Sequence, residues 1–580
     1  MRYGQDNGDR QETRPLRGGR CRASNRQLLQ RKAVRQLGGS GRPLGAATPR
    51  INEMMRIPLK RVQAAWPLFL VLAIGLAVRL IALAQMVVIN PDGILYIQQA
   101  KAISTGQWHL LSQSLSYVSL YPFLIALVHC FVHDWILSGQ LLSLCFSMGM
   151  LLVVYRILRL FFIPSISWLT TLLFALTPVF VRYSVDVLRD ALFWFLFALA
   201  LWLVLLSIRR AAANSRSSAL LLAANCTILL ASWSRIEAIV LLPATCLFLL
   251  VCERRGNIRR LLTFLAPSAC LAVIGWGVVL LSGRDVFALV RIDEVVRKFT
   301  APGDAYHALR SELKMLADGY GRSLLGCYLQ SSYHTVWITA VGEIFVNAME
   351  SFFYPYVLVY VLGLRKAWNR MRHQREYQYL AIVFGCSLGV LFVHSIQYWI
   401  MTYRFIAILI IPSCVVAGLG VQKMVGYFSG MSQLGEKRAV ALVAFFIFIV
   451  AISKNIQGIE SDKSVYIAIS QQMSALNMSD EPLIVASIPS VAYSWIDFYC
   501  NIDRKYRQNR EIIASEYDSA YGLASSMRLR GVSLLFWEEN AWKKSNFGQN
   551  ESEFSEYFTE LGKWVHKDTG KMILFELDHK

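Results

Sequence analysis

The chain has 580 residues, of which 55% are hydrophobic and only 17% charged, and its mean hydropathy is +0.42. Soluble domains carry about a quarter of their residues as charges, so this composition excludes a chain of ordinary soluble domains. Long stretches that are apolar all round predict a protein that crosses a membrane several times. The 11 cysteines lie mostly in these stretches without metal-ligand spacing, so neither a disulfide framework nor a zinc site is expected.

The net charge of +21 is unevenly distributed along the chain. Residues 1–61 carry +11, residues 62–454 carry +15 and residues 455–580 carry −5. The first segment lacks any apolar period or signal peptide and is predicted to be a disordered basic tail. A translation start at the doublet Met54-Met55 would make most of this tail a gene-model extension. That explanation is favoured over nucleic-acid binding, so no nucleic-acid partner is expected.

Residues 62–454 are predicted to form a transmembrane domain of eleven helical spans. A shorter apolar segment, residues 119–133, is too short to cross and is interpreted as a re-entrant or interfacial helix. Two long non-cytoplasmic loops, residues 90–134 and 282–344, interrupt the domain. The predicted spans lie near 65–89, 135–155, 164–180, 191–208, 218–233, 238–252, 261–281, 345–363, 378–398, 405–421 and 439–453.

The distribution of basic residues predicts the orientation of the chain. Short loops that are rich in Lys and Arg remain in the cytoplasm. With the N-terminus inside, the five cytoplasmic loops contain 17 basic and 3 acidic residues. A full crossing at residues 119–133 would move Arg156, Arg209 and Arg254 to the outside. The sequence therefore predicts an N-in, C-out topology with residues 455–580 outside.

Residues 455–580 are predicted to form a small extracytoplasmic α/β domain, since short apolar runs alternate there with helical stretches. The fold class is thus an all-α polytopic membrane protein with a small α/β domain at its C-terminus. In that domain we expect helices near 462–477 and 551–566 and strands at 483–487, 532–537 and 572–577.

Charged residues recur where spans end on the predicted outer face. A charge within a membrane costs about 2.5 to 3.5 kcal/mol on insertion scales, so these positions indicate function. The planar guanidinium group of arginine binds phosphate well, and a carboxylate can act as a base or bind a divalent cation. Arginines and carboxylates together at this level indicate a reaction on a phosphate-linked lipid at the outer face. The residues are Asp92, Arg182, Asp186, Arg189, Asp190, Arg235, Glu237, Tyr403 and Arg404.

Several of these positions also have structural explanations. Asp190 directly precedes an apolar span and could cap that helix. Asp186 could pair locally with Arg182 or Arg189, and Arg235 could be neutralised by Glu237.

A series of short motifs runs along residues 60–425, at Asp92, Tyr96, Ala100, Gly106, Tyr121-Pro122, Pro178, Ser184, Asp190, Arg235, Tyr403-Arg404, Pro412 and Gly418. In the order of these motifs and in its topology, the chain resembles the polyprenyl-phosphate-dependent glycosyltransferases of the GT-C superfamily, which include protein O-mannosyltransferases and lipid A aminoarabinose transferases. It departs from the family pattern at two places. Gly93 follows Asp92 where many members have a second acid, and Leu120-Tyr121 replaces the lysine that precedes the proline motif in some branches.

The resemblance implies an enzyme that transfers a sugar from a polyprenyl-phosphate donor to an acceptor hydroxyl, usually with inversion. Asp92 and Asp190 would be its catalytic acids, and both could hold Mg²⁺ or Mn²⁺. The expected donor-phosphate ligands are Arg404, Arg235, Arg189 and Tyr403. The acceptor would be a glycan, lipid or protein, and the bacterial cytoplasmic membrane is the expected location.

Two other classes of protein stay open. A flippase for lipid-linked saccharides, or a secondary transporter, would also need charges facing a cavity. Such proteins usually contain paired repeats with broken helices near mid-membrane, whereas these charges lie at one interface. A non-catalytic scaffold would leave unexplained why charges recur at the ends of unrelated spans.

Overall fold

The computed structural model describes residues 51–580, except for 109–117, 213–216, 253–256, 283–291, 432–434, 477–482, 505–511, 518, 544–553 and 579–580. The predicted tail lies outside the described residues up to position 50, and the first helix begins at Ile51. The chain divides into two compact units, Met1–Ala64 and Ala65–Lys580, and the second contains every side chain discussed below.

The described residues between 51 and 455 are almost entirely helical, and each predicted span overlaps a helix. Five described helices are long and apolar enough to cross a membrane, or six if one bent pair counts as a single span. The helices are α1 (Ile51–Ala84), α2 (Pro91–Ser104), α3 (Leu120–Val132), α4 (Trp135–Arg159), α5 (Pro164–Leu176), α6 (Pro178–Arg182), α7 (Asp190–Ala212), α8 (Ser218–Ser234), α9 (Leu241–Val251), α10 (Asn257–Ser282), α11 (Ile292–Tyr320), α12 (Leu324–Ser351), α13 (Tyr354–Met371), α14 (Arg375–Tyr398), α15 (Ala407–Ile410), α16 (Cys414–Met431) and α17 (Glu436–Asn455).

A proline separates α5 from α6, because Pro178 has no N–H to continue the helical hydrogen bonds. Two buried side chains bind the carbonyls that this break leaves free. Arg79 Nη1 donates to the carbonyl of Ala175 at 2.9 Å. Asn455 Nδ2 donates to the carbonyl of Leu176, also at 2.9 Å. The break sends the chain into the loop between α6 and α7.

The short helix α3 is flanked by residues that contact other helices. Its 13 residues span about 20 Å, less than the roughly 30 Å of a hydrocarbon core. Before it, the carbonyl of Val118 accepts from Trp233 Nε1 at 3.0 Å. After it, Trp135 lies 5.8 Å from Lys101 Nζ of α2. The length of α3 is consistent with a segment that does not cross, and this interpretation, the count of eleven spans and the orientation stay predictions.

Described residues of all five loops predicted to be cytoplasmic meet at one end of the bundle, and Lys366 Nζ donates to Gln422 Oε1 at 2.9 Å to join the last of them. Arg209 Nε lies 3.3 Å from Glu376 Oε1, and its guanidinium lies 5.4 Å from the ring of Phe161. Arg260 Nη2 donates to Ser207 Oγ at 2.9 Å. The basic loops therefore share one end, as the charge pattern predicts.

Helices α12 and α13 meet at an angle of 104°, where the sequence predicts a single span over residues 345–363. The linking residue Phe353 has φ +63°, a value that L-residues rarely adopt. Pro355 follows in the first turn of α13, and its missing N–H favours a new helix start there. The predicted loop 282–344 contains α11 and most of α12.

The C-terminal residues form a five-stranded mixed sheet in the order β2-β1-β3-β5-β4. Strand β1 is parallel to β2 and β3, whereas β5 is antiparallel to β3 and β4. The four elements predicted at 462–477, 483–487, 532–537 and 572–577 are confirmed. The elements are α18 (Ser464–Ala475), β1 (Val485–Ser487), α19 (Val491–Asn501), β2 (Ile512–Ile513), α20 (Ala520–Arg530), β3 (Leu534–Glu538), α21 (Glu539–Trp542), β4 (Phe558–His566) and β5 (Gly570–Leu577).

The helix predicted near residues 551–566 is wrong, because residues 558–566 form strand β4. Strand β4 pairs with β5 in an antiparallel hairpin that closes at His566 and Gly570. Gly570 has φ +73°, which a glycine adopts without strain. Pairing across the hairpin overrides the local helical pattern of this segment. Residues 551–553 lie outside the described part of the chain.

Candidate active site

Asp92 lies in the first turn of α2, at the point where the chain leaves α1. Asn90 caps this helix, and its Oδ1 accepts from the backbone N–H of Asp92 at 3.0 Å. Pro91 occupies the first helical position, where no N–H is needed. The Asp92 side chain is 43% exposed, so its carboxylate is accessible to a substrate.

The loop between α6 and α7 packs directly onto this helix start. Asp186 Oδ1 accepts from the backbone N–H groups of Asn90 at 3.0 Å and Val187 at 2.8 Å. Burial raises the pKa of the Asp186 carboxyl to about 7, although these two hydrogen bonds oppose the rise. A Cβ on Gly93 would lie 2.8 Å from the carbonyl oxygen of Val187. This contact explains why a glycine, and not a second acid, follows Asp92.

Asp190 begins α7 and is buried, with 1% of its side chain exposed. Its carboxylate forms an ion pair with Arg235 Nη1, and Arg235 Nε lies 3.2 Å from Glu237 Oε2. The Arg235 guanidinium also lies 4.4 Å from the ring of Phe405. Arg235 is thus enclosed between two carboxylates and an aromatic ring, and only 5% of its side chain is exposed.

Arg404 joins the two predicted acids. Its Nη1 lies 2.7 Å from Asp92 Oδ2 and 3.8 Å from Asp190 Oδ2. Burial alone would lower the pKa of Arg404, but the two carboxylates outweigh it and raise the pKa above its ordinary value. The Arg404 side chain is 22% exposed, so it is more accessible than Arg235. The structure therefore brings Asp92, Asp190, Arg235 and Arg404 into one cluster.

Arg189 and Tyr403, the two other expected phosphate ligands, have different surroundings. The Arg189 guanidinium lies 5.7 Å from the ring of Tyr96, which packs edge-on against Tyr121. A hydrogen bond to Glu350, together with burial, raises the pKa of Tyr403 to about 12. Tyr403 thus lies beside Glu350 and outside the ion-pair cluster.

Tyr403 lines a cavity of about 610 Å³. Pro178 and Arg182 of α6 border it on one side, and Glu350 and Phe353 border it at the bend between α12 and α13. Lys454 near the end of α17 adds a positive charge. The cavity provides a volume for a ligand next to the residue that precedes Arg404.

Several polar residues of this region are absent from the sequence-based set, among them Asn90, Glu350 and Lys454. For Glu350 a signal exists, because an acidic residue inside a predicted span is costly and marks function. Asn90 precedes Pro91-Asp92, an arrangement typical of a helix cap. Lys454 follows an apolar span and resembles any flanking lysine, so no local signal separates it.

The two acids supply only oxygen ligands, the type that Mg²⁺ and Mn²⁺ prefer. Asp92 has an exposed carboxylate that could bind such an ion, which would then share it with Arg404. Within the described residues, a group of three possible ligands occurs elsewhere, at Asp462, His566 and Asp568. There His566 Nδ1 accepts from the backbone N–H of Asp568 at 3.2 Å, and His566 Nε2 lies 3.6 Å from Asp462 Oδ2.

Comparison with known proteins agrees with this architecture. The family model described as dolichyl-phosphate-mannose-protein mannosyltransferase matches residues 119–277. No curated protein sequence matches the chain. The structure of ArnT from Cupriavidus metallidurans bound to undecaprenyl phosphate superposes with a TM-score of 0.52 at 12% identity, covering 89% of this chain and 99% of ArnT.

The archaeal oligosaccharyltransferase AglB from Archaeoglobus fulgidus is also similar in fold. Its complex with an inhibitory peptide and a dolichol-phosphate gives a TM-score of 0.51 at 12% identity, covering 88% of this chain and 74% of AglB. Its complex with Zn and sulfate gives the same score and identity, with 87% and 72% covered. The resemblance to the polyprenyl-phosphate-dependent glycosyltransferases of the GT-C superfamily is therefore confirmed.

Proposed function

We propose that this protein is a membrane glycosyltransferase that moves a sugar from a polyprenyl-phosphate donor to an acceptor hydroxyl. The observation that carries the proposal is the cluster of Asp92, Asp190 and Arg404, which come from three separate segments of the chain. The ArnT and AglB structures that share this fold were solved with undecaprenyl phosphate and dolichol-phosphate, respectively, which supports a donor of this class.

Asp92 is the proposed catalytic base. It is exposed at 43% of its side chain, whereas Asp190 is buried and engaged by two arginines. The acceptor oxygen attacks the anomeric carbon while its proton passes to the Asp92 carboxylate. The bond between that carbon and the lipid phosphate oxygen breaks, which releases polyprenyl phosphate and inverts the anomeric centre. Base catalysis of this kind contributes about 10²- to 10⁴-fold.

Arg404 is the proposed ligand of the leaving phosphate. A guanidinium contact strengthens as negative charge builds on the leaving oxygen, which is the differential binding that catalysis requires. Arg235 is too enclosed to reach a substrate, so we assign it the role of holding Asp190 and, through it, the position of Arg404. The cavity beside Tyr403 is the proposed site for the donor head group.

A divalent cation at Asp92 is part of the proposal, with Mg²⁺ or Mn²⁺ as candidates. The cluster of Asp92, Asp190 and Glu237 against Arg235 and Arg404 contains three acidic and two basic side chains. Chelation followed by titration with each metal tests this point. Unchanged release of polyprenyl phosphate after chelation would remove the metal from the mechanism.

The active site is proposed to face outward, in the bacterial cytoplasmic membrane. The support is the separation of the basic loops around Arg209 and Arg260 from the end of the bundle that holds Asp92. The acceptor class stays open among glycan, lipid and protein.

A lipid-linked saccharide transporter is the second candidate, and one observation favours it. Helices α12 and α13 form a broken pair bordering the cavity, and broken helices are typical of transporter binding sites. In a transporter, Asp92 would bind cargo or a coupling ion and no lipid phosphate would be released.

The deciding experiment uses the full chain reconstituted in lipid with a panel of polyprenyl-phosphate sugars and cell-envelope extract. Wild type should release free polyprenyl phosphate with one donor, and Asp92→Asn should abolish release. Asp318→Asn, an exposed acid of α11, is the matched control and should behave as wild type. Absence of release with every donor, together with translocation of the labelled sugar by wild type, would replace the transferase with the transporter.

A further inference from the structure

Both backbone polar groups of Ile89 are bound by side chains of the C-terminal region. The N–H of Ile89 donates to Tyr499 Oη at 2.9 Å. The carbonyl of Ile89 accepts from Trp495 Nε1 at 2.7 Å. Tyr499 and Trp495 lie one turn apart on α19, so a single helix holds both groups. Ile89 itself is 1% exposed, which means that water cannot replace these partners.

Ile89 directly precedes the start of the helix that carries Asp92. The next residue, Asn90, caps α2 and accepts from the Asp92 N–H. Asn90 also donates its own N–H to Asp186 at 3.0 Å. The short segment between α1 and α2 is therefore fixed from two sides, by Asp186 on one and by α19 on the other.

The C-terminal region also contacts the far end of α2. Lys101 Nζ donates to the carbonyl of Ile502, immediately after the end of α19. Lys101 is 7% exposed, and an amino group near a helix C-terminus is favourably placed for the helix dipole. Helix α2 is thus held at both ends by the same helix of the C-terminal region.

A third contact joins the linkers that lead into these elements. Met86, just after α1, forms a parallel β-bridge with Ile459, which follows α17. The described contacts with the C-terminal region, at Met86, Ile89 and Lys101, therefore lie on both sides of Asp92 in the sequence.

We propose that Trp495 and Tyr499 are positioning residues for Asp92, so that the C-terminal region forms a part of the active site's framework. This inference rests on the proposed function, in which Asp92 is the base. The two side chains fix the Ile89 peptide plane, and this plane determines where the Asn90 cap and the first turn of α2 lie. Catalysis depends steeply on such placement, because a shift of about 1 Å can cost about 10²-fold in rate.

The Trp495 side chain is largely enclosed by its neighbours in the C-terminal region. Trp495 is 5% exposed and stacks against Tyr466 at 5.4 Å between ring centroids, while Lys463 covers it at 4.3 Å. Its indole N–H is directed to the Ile89 carbonyl. Loss of that N–H should lower kcat and leave the KM for the donor nearly unchanged, since the proposed phosphate ligand Arg404 lies on another segment.

The test compares Trp495→Phe, Tyr499→Phe and the double variant with wild type in the lipid-reconstituted release assay. Each substitution keeps an aromatic ring and removes one hydrogen bond to Ile89. We expect kcat to fall about 3- to 10-fold in each single variant and about 10- to 100-fold in the double variant, with KM within about twofold of wild type.

Two matched controls lie in the same C-terminal region. Trp537→Phe changes a buried tryptophan of β3 whose Nε1 has no hydrogen-bond partner among the described residues. Tyr517→Phe removes a tyrosine hydroxyl that contacts Ser526 Oγ at 2.6 Å. Both should retain the wild-type kcat, even where the smaller side chain or the lost contact lowers the thermal midpoint. An equal loss of kcat in the controls would overturn the proposal, since any disturbance of the domain would then suffice.

Hydrogen–deuterium exchange provides a readout that does not depend on the reaction. The Ile89 amide and its neighbours should exchange faster in Tyr499→Phe than in wild type, whereas peptides of α7 should not change. Unchanged exchange at Ile89 together with unchanged kcat would overturn the inference. If wild type releases no polyprenyl phosphate, the proposed function fails on its own, and faster exchange would still establish that α19 fixes this segment.

Discussion

Arg404 Nη1 lies 2.7 Å from Asp92 Oδ2, although 312 positions separate the two residues in the sequence. The same nitrogen lies 3.8 Å from Asp190 Oδ2. One guanidinium therefore couples the exposed acid at the start of α2 to the buried acid at the start of α7. This coupling makes Arg404 both a proposed substrate ligand and a constraint on the two acids.

Arg404→Lys keeps the positive charge but loses the planar fork that reaches two carboxylates. We expect transfer to fall about 10- to 100-fold in this variant and about 10²- to 10³-fold in Arg404→Ala, the range seen when one stabilising donor is removed. Steady-state release of polyprenyl phosphate measures both. Arg209→Ala, at the opposite end of the bundle, should retain wild-type rates. Full activity in Arg404→Lys would show that the planar guanidinium group is not required for transfer.

Arg235→Met should destabilise the protein and lower its activity. The substitution leaves the buried Asp190 carboxylate without its closest partner, and such a break costs about 3 to 5 kcal/mol. Arg182→Met removes an exposed arginine that is paired with Glu460, which should cost at most about 1 kcal/mol. Thermal unfolding in detergent compares the two variants. Equal midpoints would show that the Asp190–Arg235 pair contributes no more to stability than an exposed pair.

Gly93→Ala tests the close approach between α2 and the loop before α7. A Cβ would lie 2.8 Å from the Val187 carbonyl oxygen, so backbone must move to accommodate it. We expect a loss of about 1 to 3 kcal/mol in stability, with a fall in kcat, because the displaced helix carries Asp92. Gly389→Ala, where a Cβ meets nothing within 4 Å, is the control. A wild-type midpoint and kcat in Gly93→Ala would contradict this expectation.

The buried Asp186 should make stability depend on pH. Its pKa is about 7 in the folded protein against a reference of 3.8, so the folded state binds more protons between these values. The free energy of unfolding should therefore fall as pH rises from about 4 to 7. Asp186→Asn keeps an oxygen acceptor for the Asn90 N–H and does not titrate. Thermal midpoints at pH 5 and 8 should show wild type losing stability relative to this variant, and parallel midpoints would contradict the shift.

Much of the helical architecture could be predicted from the sequence alone, because the apolar character of a side chain does not depend on which residues it contacts. A helix is present at every predicted span. The ends of those spans also indicated Asp92, Asp190 and Arg404, since a charge beside an apolar run is costly wherever the run packs.

Other features depended on contacts between distant segments. Residues 558–566 form a strand because β5 pairs with them, and their own pattern does not reveal that partner. Glu350 gains significance only where the bend between α12 and α13 brings it beside Tyr403.

The different exposure of Arg235 and Arg404 could likewise not be predicted from the sequence. Both arginines follow or precede apolar spans and look equivalent in the sequence. Packing buries Arg235 beneath Asp190 and leaves Arg404 partly exposed beside Asp92. The hydropathy of a segment determines whether it enters the membrane, and the sequence shows this directly. The neighbours of each charged side chain depend on how the helices pack, so only the tertiary structure determines them.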